Sequence, residues 1–335
     1  MGRLANHAGV GCDPTVCGDR GHRISSQQSM TSGVAPREDR IGLGLIAMAG
    51  AVFFFTMIDT SATWLVIAGL PALQIVFARY AMHLAMSLVL FLPRDGMSVL
   101  RSNAPKRQLL RALFLLGSTS LNFASLKYLP ITVTTTIMFA GPIVVTLLAI
   151  PILGERVGIH RIIAVCVGFL GVVVVMQPWG LGFHPAMFLN VAAMFVAAMY
   201  FVMTRLLAGI ESNGTSQLWA SGVATICLIP FALSDWVWPT EAADWTFFFL
   251  IGIFGGAGHI LATGAHRMAD ASILAPMVYI QLFLAALASI MFFGTWPTVW
   301  TLFGGLIIIA AGIYIWHRER RNNSAVASTA KITPK

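Results

Sequence analysis

The stretch ITVTTTIMFAGPIVVTLLAIPILGERVGIHR, from Ile131 to Arg161, decides the class of fold. It opens with threonines, whose hydroxyls can bond to the helix backbone, so a membrane helix carries them at little cost. A long apolar run follows, with Gly141 and Pro142 in its middle. In lipid, neighbouring helices can satisfy the backbone groups that a proline frees. We therefore predict a kinked membrane helix, a polar turn at Glu155, and another apolar span.

The composition of the whole chain also indicates a membrane protein. Of the 335 residues, 57% are hydrophobic and 10% are charged, whereas roughly a quarter are charged in soluble domains. The formal net charge of +8 does not indicate nucleic acid, because the basic residues stand in short loops and tails. We expect no cofactor and no metal site. Cys12 and Cys17 are spaced more widely than most zinc ligands, which favours a disordered tail over a zinc site.

Apolar runs of spanning length recur along the chain, each near the ~20 residues that cross a bilayer. Residues 1–40 contain no apolar core and are predicted to be a disordered cytoplasmic tail. Residues 317–335 are polar and are also predicted to be a disordered cytoplasmic tail. The ten predicted spans lie at about 41–63, 71–92, 108–127, 131–152, 158–176, 185–206, 215–233, 245–264, 272–293 and 298–316.

The positions of Lys and Arg predict how the chain is oriented. One side holds both tails, the basic 93–107 loop and the turn that contains Arg156 and Arg161. The loops of the other side carry acids and almost no Lys or Arg, Lys127 being the one cation at that boundary. By the positive-inside rule, both termini are therefore cytoplasmic.

An internal repeat emerges when the chain is shifted by about 140 residues. Lys127 then falls on Arg267, and Gly154 falls on Gly294. Each half holds five predicted spans, residues 41–177 and 185–316, joined by a linker at 178–184. Since five is odd, the second half must enter the membrane inverted, which is typical of secondary transporters with a substrate cavity between the halves.

Both halves contain short motifs at corresponding places. The first half has Lys127-Tyr128-Leu129-Pro130, Pro142 within a helix, Leu153-Gly154-Glu155-Arg156 and Gly168-Phe169-Leu170-Gly171; the second has Ala271 to Pro276, Phe293-Gly294, Pro297, Gly304 and His317-Arg318-Glu319-Arg320. These motifs resemble the EamA repeat of the drug/metabolite transporter superfamily over residues 41–320. The chain departs from the pattern at Thr295, where the second repeat of the family commonly has Glu.

The resemblance implies an all-α, ten-helix carrier of the cell inner membrane, with two inverted five-helix repeats. Such a carrier moves small organic metabolites by alternating access and often uses an ion gradient. The substrate could be an amino acid, a vitamin such as riboflavin, or a related compound. Expected partners are this small molecule and the lipid bilayer, with protons and a second copy in a homodimer left open.

Asp59 is the only acid placed inside a predicted span without Lys or Arg within a helical turn. A charge at that depth usually persists only with a partner or a role. Burial makes a carboxyl group able to bind a proton near neutral pH, so Asp59 is the candidate for proton coupling. The alternative is a carboxylate in the outer headgroup region, or one that caps a turn.

The other charged candidates lie near helix faces or ends. Arg79 and His83 stand four residues apart in the second span, where Arg79 could pair with Asp59 or hold an anionic substrate group. Glu155 matches the family but lies at a cytoplasmic turn, which favours a structural role. Lys127 and Arg267 could form two halves of a gate, or could snorkel at helix ends.

The candidates for the wall of a substrate cavity are polar or aromatic residues within the spans. His259 lies among glycines, of which Gly252 and Gly256 are spaced as a helix-packing motif. Gln281 holds the place in the second repeat that Gly141 holds in the first. The full set of cavity candidates is Asn122, Thr135, Tyr200, His259, Tyr279 and Gln281.

No enzyme is predicted. The chain contains no G-x-S-x-G, H-E-x-x-H or P-loop motif, and its acids are too scattered to chelate magnesium. A channel or a non-transporting membrane scaffold is the alternative. An internal repeat with a kinked helix favours a carrier over a channel.

Overall fold

The computed structural model describes residues 41–153, 159–180, 182–207, 210–268 and 274–330. Within these ranges the chain forms α-helices, two short 3-10 helices (Gly96–Leu100 and Ala275–Tyr279) and no strand. The helices are α1 (Ile41–Ile67), α2 (Ala72–Asp95), α3 (Pro105–Leu126), α4 (Ile131–Met138), α5 (Gly141–Leu153), α6 (Ile159–Met176), α7 (Ala186–Leu207), α8 (Asn213–Ser234), α9 (Ala242–Met268), α10 (Ile280–Phe293) and α11 (Val299–Ala330).

The lengths and surfaces of these helices suit a bilayer. Six of the described helices, α1, α2, α3, α7, α8 and α9, are long and apolar enough to cross a membrane. The described residues also include four shorter apolar segments, Ile131–Val145, Ile162–Met176, Met277–Phe293 and Val299–Tyr314. Large apolar side chains such as Phe283 and Leu170 are more than half exposed, which favours contact with lipid over contact with water. The prediction of an all-helical membrane protein is confirmed.

The apolar run that contains Gly141 and Pro142 is divided between two helices. α4 ends at Met138 and α5 begins at Gly141. The Phe139 N–H donates to the carbonyl of Thr135 at 3.1 Å, which closes the last turn of α4. Pro142 therefore stands in the first turn of α5, where its missing N–H breaks no bond within the helix. The break lies beside the predicted kink.

Helices distant in sequence pack together. α1 packs along α9, α2 lies against α8 and α9, and α3 lies against α7 and α8. α6 packs along α11, where a methyl group added at Gly171 would lie 2.9 Å from the Gly304 carbonyl oxygen. Only glycine allows two backbones to approach so closely. This packing places the inward faces of α1, α2, α3, α7, α8 and α9 around one interior.

The last helix extends further than expected. The sequence predicts disorder from His317 onward, but α11 continues to Ala330. The prediction is wrong over this segment, because its Arg, Glu and Ala residues are good helix formers and extend a helix that is already nucleated in the bilayer. The predicted tail at 1–40 and residues 331–335 lie outside the described residues.

Candidate functional site

Arg79 of α2 lies in the interior of the helix bundle, where its side chain is 6% exposed. Its Nη1 donates to Thr119 Oγ1 of α3 at 3.1 Å, and its Nη2 lies 3.5 Å from Nε2 of His259 on α9. The guanidinium carbon also lies 4.8 Å from the centre of the Tyr80 ring. Among the described residues, no carboxylate hydrogen-bonds to this cation, and its Nε has no partner. A buried cation of this kind can accept an anionic group.

Two histidines lie beside Arg79. His83, four residues further along α2, is 1% exposed, and its ring stacks on that of His259 with centroids 5.6 Å apart and planes 3° apart. His83 also interacts with the side chain of Gln217 on α8, while its Nε2 is buried without a hydrogen-bond partner. Phe55 of α1 contacts the His259 ring edge-on at 5.2 Å. Together these rings form an aromatic wall next to the cation.

A chain of hydrogen bonds joins Asp59 to two other helices. Asn190 of α7 donates from Nδ2 to Asn122 Oδ1 of α3 at 2.6 Å, and to Ser125 Oγ at 3.4 Å. Asn122 in turn donates from Nδ2 to Asp59 Oδ1 of α1 at 3.4 Å. Asn190 is fully buried, and Asp59 is partly buried. Because each bond crosses between helices, this chain fixes the position of the carboxyl group relative to α3 and α7.

Glycines of α9 set how closely that helix approaches Arg79 and His83. A methyl group at Gly252 would lie 3.2 Å from the Arg79 carbonyl oxygen, and one at Gly256 would lie 3.4 Å from His83 Cδ2. A methyl group at Gly255 would lie 3.5 Å from Arg79 Nε. Of the predicted packing glycines, Gly252 therefore lies against the Arg79 backbone and Gly256 against the His83 ring, while Gly255 faces the Arg79 side chain.

Arg111 of α3 forms a second buried cluster, and its side chain is 5% exposed. Its Nε donates to Thr204 Oγ1 at 2.8 Å and its Nη2 donates to the Tyr200 hydroxyl at 3.0 Å, both on α7. Nη1 donates to the carbonyl of Ser216 on α8 at 3.2 Å. The guanidinium carbon also lies 4.8 Å from the centre of the Tyr200 ring. This cation holds α3, α7 and α8 together with neutral partners.

The structure brings together four of the predicted site residues, Asp59, Arg79, Asn122 and His259, around the interior of the bundle. Asp59 and Arg79 attract each other through space, but they are held by different polar partners on α3. Tyr200, a fifth predicted residue, belongs to the Arg111 cluster instead.

Other predicted residues lie apart from this group. Thr135 is buried on α4, and Gln281 is partly buried on α10. Tyr279 contacts Phe139 edge-on at 5.9 Å and packs against Gly312 of α11. Thr135, Gln281 and Tyr279 are therefore held by α4, by α10 and by the 3-10 helix that precedes α10. α4 packs against both α10 and α11.

The remaining predicted residues stand at helix ends. Gly141 and Pro142 open α5. Lys127 follows α3 and is exposed, with its Nζ 5.8 Å from the centre of the Tyr128 ring. Arg267 stands in the last turn of α9, but its side chain lies outside the described residues, as does the whole of Glu155. The gate assigned to Lys127 and Arg267 therefore stays a prediction.

Several residues of the two clusters were not predicted from the sequence. These are Thr119, Asn190, Gln217 and Arg111, all polar side chains within predicted apolar spans. The signal that could have found Asn190 and Arg111 is the same one that identified Asp59, since strongly polar groups inside a bilayer need partners. Thr119 carries no such signal, because threonine is common in membrane helices.

The arrangement favours binding over covalent chemistry. Arg79, His83 and His259 supply hydrogen-bond donors, Asp59 supplies a negative acceptor, and the helices exclude lipid from them. Within the described residues, no group of three or more His, Cys, Asp or Glu side chains could hold a metal ion. The interior cluster can therefore recognise a polar solute through opposite charges and hydrogen bonds.

Comparison with known proteins identifies similar transporters. The model of the EamA-like transporter family matches residues 42–177 and, a second time, residues 184–316. The chain is 29% identical over 253 residues to the S-adenosylmethionine uptake transporter of Rickettsia bellii (strain RML369-C), which covers 75% of this chain and 86% of that protein. It is 28% identical over 289 residues to the riboflavin transporter of Rhizobium johnstonii (strain DSM 114642 / LMG 32736 / 3841), which covers 86% of this chain and 95% of that protein.

The fold is also similar to that of a solved crystal structure. The superposition gives a TM-score of 0.56 at 20% sequence identity, and it covers 81% of this chain and 98% of the other. The two family matches meet between residues 177 and 184. Arg79, Asp59 and Asn122 lie in the first match, while Asn190 and His259 lie in the second. The interior cluster therefore combines side chains from both matched segments.

Proposed function

Because this chain belongs to the EamA-like transporter family, we propose that it is a secondary transporter that carries one small organic metabolite across the membrane by alternating access. The observation that carries this proposal is the interior cluster of Asp59, Arg79, Asn122, Asn190 and His259. A buried cation and a partly buried acid persist inside a membrane bundle when they have a role there. The relatives named as metabolite transporters support the same function.

We propose that the helices form ten spans, as two inverted repeats of five at 41–177 and 185–316. The two family matches and the six long and four shorter apolar segments of the described residues support this arrangement. Alternating access then consists of one repeat rocking against the other around the interior cluster. Arg79 and His259 come from different repeats, so this motion would change the distance between them.

The proposed orientation places both termini in the cytoplasm and the protein in the inner membrane of the cell. It rests on the concentration of Lys and Arg on one side of the predicted spans. Single cysteines at positions 155 and 238, in a chain without its native cysteines, test it by labelling whole cells with an impermeant reagent. We expect labelling at 238 and protection at 155, and the reverse pattern would overturn the orientation.

Transport itself is tested with purified protein in liposomes. S-adenosylmethionine and riboflavin are the first substrates to try, because similar proteins are named for them. A carrier shows saturable uptake. It also accumulates labelled external substrate in exchange for unlabelled substrate trapped inside the liposomes. A channel dissipates the gradient without such exchange. Uptake that never saturates would therefore contradict the proposal.

We further propose that Asp59 couples transport to a proton gradient. Its carboxyl group is partly buried, bonded by Asn122 and attracted by Arg79. Among the described residues, the two histidines beside this group are His83 and His259. Asp59→Asn keeps the size and the hydrogen-bonding capacity but removes titration, so accumulation driven by a pH gradient should be lost while exchange continues.

The two activities separate the possible roles of Asp59. Both are measured in the same proteoliposomes and normalised to the amount of reconstituted protein. Equal loss of accumulation and exchange would indicate that Asp59 acts in substrate binding or in structure, and not in proton coupling. Unchanged accumulation in Asp59→Asn would remove it as the coupling group and transfer that role to His83 or His259.

A further inference from the structure

Arg79 has unused binding capacity. A guanidinium carries five N–H donors, and within the described ranges the Arg79 group directs its hydrogen bonds to Thr119 and His259. Its Nε is buried without a partner. The neighbouring His83 is 1% exposed and also has a buried nitrogen, Nε2, without a partner. Two buried, unpartnered nitrogens on adjacent turns of α2 indicate that an anionic group from outside the chain can bind here.

The negatively charged Asp59 carboxyl group can also accept more hydrogen bonds than it does. Its Oδ1 accepts one long hydrogen bond, at 3.4 Å from Asn122. Among the described residues, no cation hydrogen-bonds to the Asp59 carboxyl group. A carboxylate accepts about four hydrogen bonds when it is fully satisfied. A cationic group with several N–H donors would therefore complete the partners of Asp59.

The helix α3 sets the spacing of these two poles. Thr119 bonds to Arg79 and Asn122 bonds to Asp59. Residues three apart lie on the same face of a helix, and at 1.5 Å per residue they are separated by about 4.5 Å along its axis. The two α3 residues that bond to the positive and the negative group therefore stand about one helical turn apart. The groups themselves attract each other, and no direct hydrogen bond joins them.

We propose that Arg79 and Asp59 form a two-pole subsite for a zwitterion, a molecule with a carboxylate and an ammonium group on the same carbon atom. The carboxylate binds to Arg79 and His83, and the ammonium group binds to Asp59. His259 and Phe55 offer ring surfaces beside the head group. This inference rests on the proposed transport function and selects α-amino acids and their derivatives, such as S-adenosylmethionine, over an uncharged vitamin such as riboflavin.

Binding to the purified protein tests this inference without requiring transport. The probes are S-adenosylmethionine, its decarboxylated form, the common amino acids, their carboxamides, their N-acetyl derivatives and riboflavin, each titrated at up to millimolar concentration in a thermal-shift assay. A bound ligand raises the melting temperature by mass action. We expect stabilisation by at least one zwitterion, and affinity at least about tenfold weaker for its matched analogue without a carboxylate.

Variants connect this preference to the two poles. Arg79→Gln should remove the difference between a zwitterion and its carboxamide, whereas Asp59→Asn should remove the difference between a zwitterion and its N-acetyl derivative. Ser87→Ala, on the same helix, is the matched control, because its hydroxyl is buried without a hydrogen-bond partner. This control should keep both preferences.

The possible outcomes distinguish the inference from the proposed function. The inference is overturned if no zwitterion binds, if the matched analogues bind equally well, or if riboflavin alone stabilises the protein. If the protein transports riboflavin and binds no zwitterion, the proposed function is supported and the zwitterion subsite is refuted. Conversely, selective binding of a zwitterion without any exchange in liposomes supports the subsite and contradicts the proposed transport.

Discussion

The hydrogen-bond chain from Asn190 through Asn122 to Asp59 makes a quantitative prediction for stability. Asn122→Leu removes the 2.6 Å bond to Asn190 and the 3.4 Å bond to Asp59. Asn190→Leu removes the 2.6 Å bond and the longer contact with Ser125. Leaving a buried polar group without a partner costs about 1–3 kcal/mol. We therefore expect each single variant to lower the free energy of unfolding by about 1–2 kcal/mol.

The double variant should cost less than the sum of the two single variants. The 2.6 Å bond joins the two asparagines directly, so it is lost once in the double variant but counted in both single ones. Pairwise hydrogen-bond energies in membrane proteins average about 0.6 kcal/mol and reach about 1.7 kcal/mol. Because this bond is short and buried, we expect a coupling energy of about 1 kcal/mol, in the upper part of that range.

The measurement is reversible unfolding in mixed micelles, followed by circular dichroism for the parent, both single variants and the double variant. Thr225→Val serves as the control, because the hydrogen bond of the Thr225 hydroxyl goes to the Ser221 carbonyl of its own helix. The loss of unfolding free energy in Thr225→Val should add to the loss in Asn190→Leu when the two changes are combined. Costs of the two asparagine variants that also add, within about 0.3 kcal/mol, would refute the claim that this chain joins α3 to α7.

Two further predictions concern the contacts around the buried cations. Gly252→Ala should lower the free energy of unfolding by about 1–3 kcal/mol through overpacking, because the added methyl group meets Met82. Gly255→Ala should lower it by less than about 1 kcal/mol, because the nearest contact of its methyl group is at 3.5 Å. Equal melting temperatures for the two variants would contradict this packing. Tyr200→Phe keeps the ring below Arg111 but loses the 3.0 Å hydrogen bond, so it should destabilise by about 1.5–3 kcal/mol, and an unchanged melting temperature would show that this bond is not formed.

The sequence predicts the positions of most helices because an apolar run of about 20 residues matches the thickness of a bilayer and is rare in soluble domains. The sequence predicts a kink at Gly141 and Pro142, since Pro142 cannot donate a backbone hydrogen bond, whereas in the structure the run divides there into α4 and α5. The helical segment beyond His317 could not be predicted, because polar residues of high helix propensity also occur in disordered tails. In that segment, only the continuity with a membrane helix decides the structure.

The candidate site is less predictable, because it depends on which helices are neighbours. Arg79 and His259 are 180 residues apart in the chain, and Asn122 and Asn190 are 68 apart. In a membrane helix both the lipid side and the protein side are apolar, so the hydrophobic pattern does not show which face turns inward. The sequence could therefore suggest single candidates such as Asp59 and His259, but not their partners.

The glycines of α9 have a consequence for how this group of proteins can diverge. Gly252, Gly255 and Gly256 bind nothing themselves, yet they set the position of Arg79 and His83. A methyl group at Gly252 or Gly256 would meet Met82 or Met86 of α2 and so would shift that helix, with its basic side chains, without altering any residue of the proposed subsite. Proteins descended from one ancestor could thus acquire different specificities while the residues of the subsite stay identical. The substitutions that distinguish them would then lie at the glycines of α9.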